Sequence, residues 1–227
     1  MIGAFLAANR RWVAEKFRRD PGEFRRLDAC QSPRVFWIGC SDISLPATEM
    51  IGLAPGQVFV HANLANMAAA QDANFLSALS FAIDVLGVSQ VVVCGHYGCA
   101  GVRAALSGER QGMVDHWLQP LRELGWRHAG ALDAILDLET RANDLSERHV
   151  RRQVASLAAN PLVQDAWSRG QPLAIHGLIY SAHDGLLRDL ETSVDSGKAA
   201  FPLVHGMLPK GRVSARRARP ATIRGRK

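Results

Sequence analysis

Apolar residues in this chain fall into two kinds of run. Four are short and unbroken: Arg34 to Gly39 (RVFWIG), Val58 to His61 after the turn-like Pro55-Gly56, Gln90 to Cys94 (QVVVC) before Gly95, and Leu173 to Tyr180 (LAIHGLIY). Such runs, bounded by glycine or turn residues, predict buried strands. The others follow a helical spacing. Residues 72–86 carry Phe75, Leu76, Leu79, Ile83 and Leu86, and Gly87 closes the segment. Residues 99–107, 114–124, 131–158 and 162–169 read the same way. Residues 2–19 set Phe5, Leu6, Trp12, Val13 and Phe17 among Arg and Lys, predicting an amphipathic helix that ends at Asp20-Pro21-Gly22. A second short helix runs to about Ala29. Asp184-Gly185 signals a hairpin before Leu186–Leu190. Strands alternating with helices predict an α/β fold: a mostly parallel central β-sheet flanked by helices, with an N-terminal helical arm. Ligands of such sheets bind beyond the carboxyl ends of the strands. There is no internal repeat. The chain divides into an arm (1–30), a body (31–206) and a tail (207–227).

Composition narrows this picture. The chain has 227 residues, 48% of them apolar, enough for one domain with a sizeable core and too apolar for wholesale disorder. The formal charge of +6 and the pI near 9.6 invite a nucleic-acid reading. However, eight basic and no acidic residues lie between Lys210 and Lys227, and the rest holds 19 Lys and Arg against 21 Asp and Glu. The basic character therefore belongs to the tail. It is rich in Arg, Ala, Pro and Gly without apolar period and reads as disordered. It is a candidate contact for nucleic acid, anionic lipid or an acidic protein, or simply a solvated end. The first apolar run, Ile2 to Ala8, precedes Arg10 and Arg11, the reverse of a secretory signal, and no membrane span is visible. A cytoplasmic location is expected. Four cysteines, Cys30, Cys40, Cys94 and Cys99, are few for a disulfide scaffold and suit metal ligation, catalysis or core packing.

Two short motifs open at strand ends. Cys40-Ser41-Asp42 follows RVFWIG, and His96-Tyr97-Gly98-Cys99 follows VVVCG. Two thiolates and an imidazole make a good zinc set, which a carboxylate or water completes. Alone, each motif equally fits a core thiol beside a cap residue, or a packed histidine. Together, at matching strand ends and with glycines at 95, 98 and 101 giving room, they point to a metal. Cys94 within a strand and Cys30 before one read as buried thiols.

The sequence resembles the β-class carbonic anhydrases over roughly residues 5–200. WIGCSD (37–42), FVHANLAN (59–66), VVVCGHYGCAGVRAAL (91–106), HWLQPLR (116–122), SERHVRRQV (146–154) and IHGLIYSAHDGLLRDL (175–190) carry the resemblance. It implies a zinc-dependent carbonate dehydratase, interconverting CO2 and bicarbonate, in which Cys40, His96 and Cys99 are zinc ligands. Asp42 is implied as the carboxylate that either binds zinc or releases it, acting then in catalysis. Leu64 and Phe81 are implied as part of the substrate pocket, although both also suit ordinary packing. The chemistry requires a hydroxide nucleophile, and zinc lowers the pKa of bound water to about 7. No histidine is assigned to carry the proton away, and His61 reads equally as structural. The resemblance also implies a homodimer or tetramer, with residues 2–19 crossing a partner.

The chain departs from the family pattern near the site. Where the family has Cys-Ser-Asp-Ser-Arg, this chain has Cys40-Ser41-Asp42-Ile43-Ser44. The arginine that holds the aspartate off the metal is replaced by Ser44, which offers one neutral hydrogen bond in place of a bidentate charged pair. This predicts a bias toward a closed set in which Cys40, Asp42, His96 and Cys99 all bind zinc, with slowed or absent catalysis. Arg103, Arg34 and a partner subunit are candidate sources of a replacement cation. Ala62 replaces an arginine that, in some members, binds inhibitory bicarbonate together with residues matching Trp37 and Tyr180. Ser80-Phe81 replaces a Gln-Tyr pair, and Ala100 a glycine. Two readings compete: an impaired carbonate dehydratase, and a non-catalytic zinc protein of the same scaffold acting through binding or assembly.

Overall fold

The computed structural model describes residues 1–29 and 32–204. Cys30 and the basic tail lie outside the described residues. The chain opens with α1 (Ile2–Arg19) and α2 (Glu23–Ala29). There follow β1 (Val35–Cys40), α3 (Ala47–Ile51), β2 (Val58–Asn63), α4 (Ala73–Ser80) and β3 (Gln90–His96). A helical stretch comprises α5 (Ala100–Ser107), α6 (Met113–Trp117), α7 (Gln119–Arg127), α8 (Ala129–Leu132), α9 (Leu138–Ala158) and α10 (Pro161–Ser168). The hairpin β4 (Ala174–Ser181) and β5 (Leu186–Asp189) and then α11 (Gly197–Val204) complete it.

The strands form one sheet in the order β2-β1-β3-β4-β5. The first four are parallel and β5 returns antiparallel, as the Asp184-Gly185 signal predicts. Alternation along β1 divides the core. Phe36 and Ile38 face one side with Val91, Val93, Ile175 and Ile179, covered by α4, α9 and α10. Trp37 faces the other side with Val92, Cys94 and Tyr180, where the short α3 supplies Ala47, Met50 and Ile51. α9 lies close on the sheet because two strand residues lack side chains. A Cβ at Gly95 would stand 2.7 Å from Val150, and one at Gly177 would stand 3.1 Å from it. A third cluster, including Cys40, Cys99, Val102, Leu118, Leu121 and Leu145, lies beyond the carboxyl ends of β1 and β3.

Three expectations need correction. Residues 131–158 are not one helix: Asp137 caps α9, its carboxylate accepting from the Thr140 N–H at 2.8 Å and hydroxyl at 2.6 Å, so the apolar period runs across a break. Residues 114–124 divide at Leu118, with Pro120 in the first turn of α7. Residues 72–86 begin as α4 but finish in a π-helical turn, Phe81–Val85. The helices α3 and α11 are additional to the expected set. Among the described residues, no helix is long and apolar enough to cross a membrane.

Candidate metal centre and active site

Cys40 ends β1, His96 ends the adjacent parallel strand β3, and Cys99 stands immediately before α5. Strand pairing thus fixes two donors and a three-residue loop returns the third. Their ligand atoms all lie within 4.8 Å of one another. Both sulfurs belong to residues 1% exposed, and His96 is 8% exposed.

The residues fit a zinc ion by geometry and by donor chemistry. Two thiolates about 2.3 Å from a tetrahedral ion stand roughly 3.8 Å apart, and Cys40 Sγ and Cys99 Sγ are 3.7 Å apart. His96 Nε2 is buried with no hydrogen-bond partner among the described residues, the state of a nitrogen that awaits a ligand. His96 Nδ1 lies 3.2 Å from the Tyr97 carbonyl, which only accepts, so the ring proton sits on Nδ1 and the Nε2 lone pair faces the cysteines.

Electrostatics agree. The Cys40 thiol is lowered to about 4, chiefly by a hydrogen bond from Cys99, with help from His96 and the Asp42 and Ala65 amides against the opposing effect of burial. Cys99 is pushed up, because its proton is held against the Cys40 thiolate. Burial is the largest influence on His96 and pulls it down, but the Cys40 thiolate and Asp42 outweigh it and the net shift is upward. This pocket favours positive charge, and a cation satisfies it better than shared protons.

Asp42 stands beside the three donors. Its Oδ2 is 4.0 Å from His96 Nε2 and accepts from the Ala100 N–H at 2.8 Å. That amide opens α5, where unpaired N–H groups and the helix dipole attract a carboxylate. Neither proposed arginine takes this role. Arg34 lies at the opposite end of β1, roughly 20 Å away for six residues at about 3.3 Å each. Among the described residues, no ion pair joins Asp42 to Arg103 or any other arginine. Ser44 is exposed.

A carbonic anhydrase family model matches residues 35–187. A carbonic anhydrase of Emericella nidulans is 41% identical over 183 residues, covering 81% of this chain and 80% of its own length. The chain belongs to the β-carbonic anhydrase family. Two solved structures extend the match. A tetrameric β-carbonic anhydrase of Sordaria macrospora superposes with a TM-score of 0.79 at 34% identity, covering 85% of this chain and 98% of that one. A Coccomyxa β-carbonic anhydrase, solved with acetazolamide, gives 0.81 at 32% identity, covering 88% and 90%. Zinc is the metal of this family, and the Cys40, His96 and Cys99 cluster could hold such an ion.

The two residues that family resemblance assigns to the pocket lie apart in the chain. Leu64 packs against the cluster containing Cys40 and Cys99 and lines a cleft of about 420 Å³ with His61, Asn63, Asp72, Met113 and Trp117. The Leu64 carbonyl accepts from Trp117 Nε1 at 2.8 Å. Gly101 gives it room, since a Cβ there would meet Leu64 at 3.3 Å. Phe81 sits on the π-helical turn, 45% exposed, against Phe59 and over a different surface depression. His61 packs edge-on to Phe75 at 5.4 Å within β2, and burial lowers its pKa. Trp37 and Tyr180 share a buried cluster, while Ala62 is exposed.

Several polar residues around the centre escape sequence reasoning. Ala65 and Asn66 have φ of 64° and 45° without being glycine, a strained turn placed between β2 and the site. The Ala65 N–H donates to Cys40 Sγ at 3.2 Å. α9 supplies Asn143 to the Gly98 N–H, Glu147 to the Tyr97 hydroxyl, His149 to the Ala65 carbonyl and Gln153 to the Ala68 N–H. One signal was available: Ser146, His149 and Gln153 fall at helical spacing on the apolar face of α9, where polar side chains need buried partners.

Proposed function

We propose that this chain catalyses the reversible hydration of CO2 to bicarbonate and a proton, with Cys40, His96 and Cys99 holding zinc and Asp42 accepting a hydrogen bond beside it. The observation that carries this reading is the carboxylate anchored by the Ala100 N–H, 4.0 Å from an unpaired histidine nitrogen. A bound zinc ion supplies a water acidic enough to be a nucleophile at neutral pH. The protein positions and shields. The Ala100 N–H holds Asp42 through Oδ2, and the carboxylate keeps lone pairs free to accept from a water held at the centre. Leu64 walls the apolar side and keeps solvent off CO2. Cys40 is fixed by the Asp42 and Ala65 amides, at 3.4 and 3.2 Å, which hold the sulfur in one direction.

The donor that anchors Asp42 is a single uncharged N–H. A guanidinium offers two parallel donors and a positive charge where this N–H offers one donor, so turnover is impaired relative to an arginine-bearing site. Stopped-flow CO2 hydration by zinc-loaded wild type and Ser44→Arg is expected to show turnover in both, roughly tenfold faster in the variant, the size of a ~1.4 kcal/mol gain. No turnover in either contradicts the proposal. A second reading rests on the same missing cation: Asp42 turns onto zinc, closes a four-ligand set with the two cysteines and the histidine, and the protein acts through binding or assembly. It requires a carboxylate ligand and no turnover in the wild type.

We also propose a homodimer or larger assembly. α1 buries none of its residues, leaving Phe5, Leu6, Trp12 and Phe17 exposed; its aromatic contacts are with Phe24 of α2. The sheet core around Trp37 is buried within the chain, but on the same face the neighbouring Val60 of β2 is half exposed, although parallel sheets are normally covered on both faces. A second copy packed on these surfaces meets both needs. We retain a cytoplasmic location as a proposal. An acidic partner for the tail is likewise a proposal; truncation at Pro209 is expected to leave zinc content and activity unchanged, and a loss of either would place the tail in the functional core.

A further inference from the structure

We propose that His149, backed by Gln153, is a positioning residue of the metal centre: it grips the strained Ala65–Asn66 turn and so aims the Ala65 N–H at Cys40 Sγ. The inference rests on Cys40 being a zinc ligand, and not on turnover.

His149 Nε2 lies 2.8 Å from the Ala65 carbonyl oxygen. A carbonyl only accepts, so Nε2 carries the proton, and Nδ1 accepts from Gln153 Nε2 at 3.4 Å. Gln153 Oε1 in turn accepts from the Ala68 N–H at 2.8 Å. Two side chains one turn apart on α9 therefore bind two peptide groups of a single loop. His149 is 2% exposed and Gln153 7%, so neither bond competes with bulk water.

The loop needs such a grip. Two consecutive non-glycine residues at positive φ relax unless their surroundings hold them. Asn63 closes the near side, accepting from the Met67 N–H at 2.7 Å and donating to its carbonyl at 2.8 Å. His149 closes the far side. Ala65 then presents its carbonyl to His149 and its N–H to Cys40 Sγ, with only its own φ and ψ between the two bonds. If the carbonyl is released, the N–H turns away and the thiolate loses a donor that fixes its direction and charge. Loss of such outer contacts typically costs 10–100-fold in metal affinity.

The test is zinc affinity by chelator competition on the full chain. His149→Leu is expected to weaken zinc binding at least about tenfold, whereas His149→Gln, which keeps an N–H donor at similar reach, stays within about threefold of wild type. Leu157→Ala, a buried change on the same helix away from the turn, is expected to lower Tm and leave zinc affinity unchanged. Should His149→Leu not fold, Gln153→Met carries the same expectation. Unchanged affinity in the variant that folds overturns the proposal, as does an equal loss in Leu157→Ala. Cobalt-substituted protein gives a second readout: the thiolate-to-cobalt absorption shifts in His149→Leu and not in Leu157→Ala. Both comparisons read out equally in a protein that binds zinc without hydrating CO2, so failure of this inference is distinguishable from failure of the proposed activity.

Discussion

Asp42 shows what one backbone amide does in place of a side chain. The missing arginine was visible as Ser44, and from that change alone zinc is the strongest attraction for the carboxylate. The folded chain offers another: the Ala100 N–H, 58 residues along the sequence, at 2.8 Å. Cys40, His96 and Cys99 were legible because side-chain chemistry and strand-end position announce them. An anchoring amide has no residue type and leaves no mark in a sequence. Its role is testable because Ala100 is the first residue of α5, where proline is tolerated, and Cys99 (φ −57°, ψ 123°) already has the extended backbone that precedes proline. Ala100→Pro should keep the fold and zinc content but lose the anchor. Zinc-edge X-ray absorption is expected to show a carboxylate ligand in the variant and none in the wild type at neutral pH, and hydration should fall roughly tenfold or more, as expected for loss of a hydrogen bond to a charged group. Cys94 behaves as its in-strand position suggests, a buried thiol pushed up to about 12 by desolvation.

At the scale of elements, α9 both backs the sheet and holds the loop between His96 and Cys99 and the Ala65–Ala68 turn beside Cys40. Its apolar period was readable, but that period also spans Leu132 and Ile135, so the break at Asp137 was not. The polar residues on its buried face were readable only as exceptions. His149 gives the helix a pH signature. Burial lowers its pKa to about 4, from an ordinary 6.5. The unfolded chain therefore binds a proton between those values that the folded chain does not. Stability from the neutral imidazole is fully present above pH 6.5 and drains away as pH falls toward 4, on the order of 3 kcal/mol. Denaturant unfolding of chelator-treated wild type and His149→Gln should show a shallower loss between pH 7 and 4.5 in the variant. Parallel curves would remove this histidine from the acid response.

For the whole molecule, the mostly parallel sheet and the placing of the site at its carboxyl edge follow from strand and helix runs that local sequence shows plainly, whereas the strand order β2-β1-β3-β4-β5 comes from tertiary pairing. The position of Phe81 does not. Family resemblance pairs it with Leu64, yet the π-helical turn sets it exposed on another surface of the chain. In the proposed assembly such a pairing would join surfaces of two chains, which the apolar pattern of one chain does not encode. Deleting residues 1–22 removes the exposed aromatic face of α1. Light scattering is expected to give a dimer or tetramer mass for the full chain and a lower one for the truncated protein. A monomer mass for the full chain at micromolar concentration would count against the proposed assembly.

The most direct test of the central claim is exchange of 18O between labelled CO2 and water, followed by mass spectrometry on protein carrying one zinc per chain at neutral pH. The account predicts label loss above the uncatalysed rate, in proportion to zinc-loaded protein and abolished in His96→Ala. Loss of label at the uncatalysed rate, with zinc fully bound, would contradict it.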